Sequence, residues 1–536
     1  MANRRDSLKS FGLAALALTK PATADAVTAD SIPATAAGPD GQRRPDLGNG
    51  TFLNPIMAGD RPDPSILKDG KDYYLAYSTF NAYPGLLIWH SRDLVNWQPL
   101  APALTRNIGS VWAPELCKYK GRFYIYIPTR KNSTPQSRNT SWVIWADKIE
   151  GPWSDPIDLH LPDHIDPGHA VGEDGTRWLF LNAGDRVRLA DDGFSTIGKP
   201  EHIYDPWRFP AESDSEGFAP ERPKITRHGD WFYMILAVGG TAGPQTGHMV
   251  TAARSRSIQG PWEHHPRNPL VHTESASEKW WSRGHATLVE GPAGDWWSVY
   301  HGYENGFWTL GRQTLLAPVR WSDDGWLDFG GGDLSRPIAK PKGGEPGPHG
   351  LLLSDDFSTD KYGIQWAFFN PSRDESRRLR RDNGVLHMAA RGTAPSDSSP
   401  LQIVAGDQDY EFECEIDVDP GARAGLLLFY DSQLYCGVSF DASTFIGHKY
   451  GIEHTRYPNP HGNRLFIRMR NMRHIVRVHI STDGKNWKRF ERTFEVSGYH
   501  HNVRGGFLAL KPSLFVSGKG EARFRDFRYR VPPADA

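Results

Sequence analysis

The sequence predicts an all-β protein, a five-bladed β-propeller followed by a β-sandwich. Three observations carry this. The 536 residues include 41 Pro, 54 Gly and 19 Trp, with no long helical periodicity, a texture of short strands and turns. One phrase, a polar turn containing Gly followed by an aromatic strand, recurs five times. Beyond about residue 340 that phrase stops and polar–apolar alternation of period two replaces it.

The elements follow in chain order. Residues 1–26 read as an export signal of twin-arginine type. Arg4-Arg5 precedes an apolar run from Phe11 to Thr19, then Ala22-Thr23-Ala24 in the small-x-small form of a cleavage site. Ser7 stands where that motif prefers an aromatic. This places the mature protein in the periplasm or outside the cell. Residues 27–50, rich in Ala, Thr, Pro and Gly, read as a linker.

Residues 51–340 form the propeller. Its five turns are Asp69-Gly70, Lys120-Gly121, Asp174-Gly175, His228-Gly229 and Ala293-Gly294, with glycines 51, 54, 54 and 65 positions apart. Each leads into an aromatic run, from Tyr73-Tyr74-Leu75 to Trp296-Trp297-Ser298. Short strands repeating at roughly fifty residues are blades. Pro341 to Pro348 is a second linker, within 341–350. Residues 351–536 carry alternating strands such as Tyr410–Ile416 and Ile475–Ile480, as in a half-buried antiparallel sandwich.

Lys and Arg number 62 against 63 Asp and Glu, which argues against a nucleic-acid partner. After the N-terminal run no apolar stretch is long enough to span a bilayer. Three cysteines do not make a disulfide framework. Cys414 and Cys436 pair or, more in keeping with their strand-like surroundings, remain buried thiols.

The repeat also points to a site. Just upstream of the five turns stand Asp63, Glu115, Asp166, Glu221 and His285. The first strand of each propeller blade lines the axis, so these five groups are expected to face one axial cavity. Converging carboxyls push each other's pKa values apart. One is then ionised while another keeps its proton, the division that glycosidic cleavage needs. Metal binding competes for the same cluster; one His among hard oxygens favours Ca²⁺ or Mg²⁺ over Zn²⁺. No cofactor is required, with a structural Ca²⁺ near His285 as an additional expectation.

Several motifs together resemble glycoside hydrolase family 43. They include Pro62-Asp63-Pro64-Ser65, Ser78-Thr79-Phe80, His90 to Trp97, Trp112-Ala113-Pro114, Ile165-Asp166-Pro167, Gly284-His285 and Leu310-Gly311-Arg312-Gln313-Thr314. Downstream, Gly425-Leu426 and Phe429-Tyr430-Asp431-Ser432 are similar to the concanavalin A-like C-terminal domain of the β-xylosidase branch. The resemblance implies an inverting exo-glycosidase acting on β-xylosides, α-L-arabinofuranosides or both. It makes Asp63 the general base, Asp166 the group that tunes and orients the acid, and Glu221 the general acid. It makes Phe80, Trp112, His285 and Arg312 the walls of the sugar pocket, and implies that the sandwich packs on the propeller and narrows the pocket mouth. Glu216 is the rival acid, but counting back from Trp231-Phe232-Tyr233 favours Glu221. Arg222 stands where the family has a glycine, and Asn81-Ala82 where the xylosidase branch has an acidic–aromatic pair. The alternatives are a galactan- or fructan-type propeller glycosidase, or a sugar-binding protein without catalysis. The fructan type is disfavoured because its blade-three and blade-four motifs are missing; the binding protein is disfavoured by the presence of all three carboxyls.

Overall fold

The computed structural model describes residues 37–132, 137–330 and 332–533. The export-signal reading of residues 1–26 lies outside them.

Five small antiparallel sheets make the propeller, each built from consecutive chain. Their first hairpins are Ser65–Asp69 with Asp72–Ala76, Glu115–Tyr119 with Arg122–Arg130, Gly168–Val171 with Arg177–Phe180, Glu221–His228 with Trp231–Val238, and Trp280–Glu290 with Trp296–Glu304. The glycines of the recurring phrase sit at these hairpin tips. Gly70, Gly121, Gly175, Gly229 and Gly294 all take positive φ, between 58° and 85°, a conformation that a side chain penalises. The repeat seen in the sequence is therefore the turn requirement of five equivalent hairpins.

The ring closes between its ends. Ile56 N–H donates to the Thr314 carbonyl at 3.0 Å. Asn54 both donates to and accepts from the backbone of Leu316, and Thr51–Phe52 pairs with Ile338–Ala339. One apolar cluster, from Phe52 through Trp97 to Trp297 and Leu327, joins the first, fourth and fifth blades.

Downstream lies a sandwich of an eight-stranded and a seven-stranded sheet. Asp409–Val418 alternates buried and part-exposed residues over much of its length, as the period-two pattern predicts. Ala422–Asp431 is buried almost throughout. Leu426, Leu428 and Tyr430 face the sandwich core, while Leu427 and Phe429 form a second cluster on the opposite face with Tyr435 and Phe515. The eight-stranded sheet does not end within the sandwich. Its edge strand is Ala82–Tyr83 of the first blade, paired with Phe368 and Phe369. A buried Asp60–Lys511 ion pair at 3.2 Å and a hydrogen bond from Leu510 N–H to the Thr309 carbonyl tie the two parts further.

Residues 37–50, expected as linker, are docked. Arg43 reaches Glu304 of blade five at 2.9 Å, and its backbone N–H donates to Asp407 of the sandwich. Asp40 accepts the N–H groups of Leu353 and Ser354. The second linker is held against blade one, where Arg92 pairs with Glu345 at 2.9 Å and Trp97 N–H donates to His349. Composition signalled exposed turns here but not these ion pairs. Cys117, Cys414 and Cys436 are all buried and free.

Candidate active site

A pocket of about 330 Å³ opens at the propeller axis. All seven residues expected at the site line it: Asp63, Asp166, Glu221, Phe80, Trp112, His285 and Arg312. The backbone explains how. Asp63, Asp166 and His285 each sit at positive φ, 56°, 57° and 54°, just before or within the innermost strand of their blades. Such conformations cost about 1–3 kcal/mol each and persist where surrounding structure fixes them.

Asp63 is 3% exposed and the most heavily partnered. Arg312 Nη1 donates to its Oδ1 at 2.6 Å, and Ser78 Oγ donates to Oδ2. Its own N–H donates to His301 Nδ1 at 3.1 Å, which leaves His301 Nε2 facing Thr241 Oγ1 at 3.1 Å. Burial alone would raise the Asp63 carboxyl. The Arg312 guanidinium, with His285 and His301 beside it, outweighs burial and holds the group well below the usual carboxylate range.

Glu221 has the opposite environment. Burial and the nearby Asp63 charge push it up to about 7, against a smaller lowering from Asp166 beside it. Asp166, 1% exposed, is raised well above its ordinary value by burial and by Glu221. Both carboxyls are thus biased towards their protonated forms, opposite to Asp63. His285 separates the two environments, with Nδ1 3.2 Å from Asp63 Oδ1 and Nε2 3.2 Å from Glu221 Oε1. Burial lowers its pKa to about 4, so the ring is neutral at pH 7.

One expectation is corrected. Glu115, expected among the five groups facing the cavity, instead lies beneath it. It is 3% exposed, in an ion pair with Lys224 and within reach of Ser65 Oγ and the His169 N–H. Lys224, inward on the strand of Glu221, neutralises it. Near His285 two clusters, Asp63–His285–His301 and Glu221–His248–His285, each bring two ring nitrogens and one carboxylate oxygen within reach of one another; a Ca²⁺ there would draw most of its roughly six to eight oxygens from water. Glu216 lines the pocket but is exposed at its rim, and it lacks the contact to His285 that Glu221 makes.

The sequence reading missed four participants. His301, Thr241 and Ser78 support Asp63, and no repeat phase marks them. Phe507 comes from the sandwich and lines the pocket. Its ring meets Trp112 edge-on at 5.6 Å and stacks on His501 at 3.8 Å. Gly505-Gly506 before an aromatic was the available signal. Arg222, the side chain in place of a glycine, is 1% exposed at φ 53°. Its Nη2 donates to the Pro64 carbonyl at 2.7 Å and its Nη1 to that of Pro114 at 3.4 Å, a cation clamping three blades under the acids.

The arrangement provides an ionised carboxylate and a protonated one on opposite sides of a neutral ring, in a pocket walled by aromatics. Residues 52–327 match the family described as Glycosyl hydrolases family 43, and residues 354–530 the Beta xylosidase C-terminal Concanavalin A-like domain. The chain is 29% identical to Xylosidase/arabinosidase 43B of Humicola insolens, over 89% of this chain and 97% of that one. It is 33% identical to a Xylan 1,3-beta-xylosidase of Vibrio sp over 51% of this chain, spanning 56% of that relative's length. In structure it is similar to the GH43 BlXynB protein from Bacillus licheniformis, with a TM-score of 0.78 and 25% identity over 90% of this chain and 100% of that one.

Proposed function

The chain belongs to family 43 of the glycosyl hydrolases, and from that membership we propose that it removes single β-xylosyl or α-L-arabinofuranosyl units from the ends of plant cell-wall oligosaccharides, with inversion. The observation that carries the roles is the opposed protonation of Asp63 and Glu221 across His285. Asp63, kept ionised by Arg312, takes the proton of the attacking water. Glu221 gives its proton to the departing glycosidic oxygen. Asp166 tunes and orients Glu221. A carboxyl at each ring nitrogen of one imidazole puts the two acids at most about 9 Å apart, compatible with the roughly 6.5–9.5 Å of inverting enzymes. Phe80, Trp112 and Phe507 wall the terminal sugar, and a pocket of this size suits one sugar unit, hence exo action.

The names of the relatives span xylosidase and arabinosidase activities, so both sugars belong to the proposal. The test is a panel of p-nitrophenyl glycosides and unactivated disaccharides on wild type and Glu221→Ala. Loss of about 10²–10⁴-fold is expected on disaccharides, with far less on p-nitrophenyl substrates, whose leaving group needs no proton. Equal loss on both would remove Glu221 from the acid role. Export through Arg4-Arg5 is also proposed, from sequence alone; N-terminal sequencing of the exported protein checks it, and an intact Met1 in that fraction would refute cleavage.

A further inference from the structure

Beside the pocket lies a second, larger chamber of about 610 Å³ between propeller and sandwich. Trp112 lines both spaces, and Phe507 of the pocket lies between Gly506 and Leu508 of the chamber. These two aromatics form the partition. Because the two spaces meet at Trp112, a substrate whose terminal sugar fills the pocket can extend its leaving portion past these rings into the chamber. This step rests on the functional reading above.

The charges of the chamber are unbalanced. Its carboxylates, Asp397 and Asp431, are already occupied. Asp397 accepts the N–H groups of Thr393 and Ala394 and the Thr393 hydroxyl. Asp431 accepts the Gln433 N–H and lies 3.3 Å from Arg504. Arg391 is committed to Glu375. Arg130 and Lys131 meet no carboxylate among the described residues. The Arg130 guanidinium rests instead over the Trp112 ring, 5.1 Å from its centre, on the partition itself. Such a planar fork is suited to a carboxylate.

We propose that Arg130 and Lys131 form an anion-recognition site for the leaving portion of the substrate, and that the enzyme favours oligosaccharides carrying a uronic acid just behind the cleaved bond. The neutral remainder of the chamber, Asn81, Ser110, Ser396 and Ser432, suits sugar hydroxyls.

The experiment compares kcat/KM for a neutral xylo-oligosaccharide and for the same chain with a uronic acid on the sugar next to the terminal one, with p-nitrophenyl β-xyloside and α-arabinofuranoside as controls. The acidic chain is expected to be favoured about tenfold, the scale of one charge-assisted hydrogen bond. The preference should fall towards one in Arg130→Gln and Lys131→Gln, be reduced but not abolished in Arg130→Lys, which keeps the charge without the fork, and weaken in high salt. A general loss on both chains in Arg130→Gln, with the ratio kept, would make Arg130 a support for Trp112 and overturn the inference. So would wild-type hydrolysis of the chromogenic controls and neutral chain without preference, leaving the functional reading intact. Inactivity on every glycoside would overturn both.

Discussion

Asp63 is a buried carboxyl and Glu221 a partly buried one, and the groups beside them bias the first to the anion and the second to the acid. Arg312 sits on Asp63; Glu221 has Asp166 and the Asp63 charge. The pH dependence follows. In the proposed roles catalysis needs Glu221 protonated, so kcat/KM should fall as pH rises through about 7. It needs Asp63 ionised, so the acid limb should lie below the ordinary carboxylate range. Arg222 lowers the Glu221 pKa, as a lesser contribution than burial and Asp63. In Arg222→Met the alkaline limb should move to higher pH, read from pH profiles on protein whose fold circular dichroism verifies. A limb that moves down would contradict the electrostatic account. At this scale the sequence was informative where the repeat imposed a phase: Asp63, Asp166, Glu221 and His285 all reach the pocket. The same rule failed for Glu115, because phase places a residue on the axis but not at a depth along it. Only the partner, Lys224 from another blade, decides that.

The blade hairpins were legible because their turns demand glycine, and five positive-φ glycines leave a spacing that survives in the primary structure. What was not legible is how blades are pinned to one another. The Glu115–Lys224 pair joins the second and fourth blades beneath the pocket, with both side chains buried. Lys224→Ala strands a buried carboxylate and should destabilise by about 3–5 kcal/mol, whereas replacing both partners by apolar residues of similar volume should cost much less. Chemical denaturation of the single and double variants checks this. A single variant within about 0.5 kcal/mol of wild type would mean the pair is idle.

Across the whole molecule the two parts are one structure. Blade one lends Ala82–Tyr83 to the sandwich sheet, the sandwich lends Phe507 to the pocket, and residues 37–46 bridge both. The sequence announced two textures and a Pro-Gly stretch between them. It could not announce a strand shared across that stretch, since two residues of edge pairing carry no periodicity. Phe507→Ala should therefore raise KM for small glycosides several-fold, because its ring lines the pocket beside Trp112. An unchanged KM would remove the sandwich from the site. The central claim is that Asp63 and Glu221 work from opposite faces of the bond, through a water. Proton NMR of the sugar first released from a β-xyloside or an α-L-arabinofuranoside tests it most directly. The account predicts the opposite anomer, α-xylose or β-arabinose, before mutarotation. Initial release of the same anomer as the substrate would contradict it.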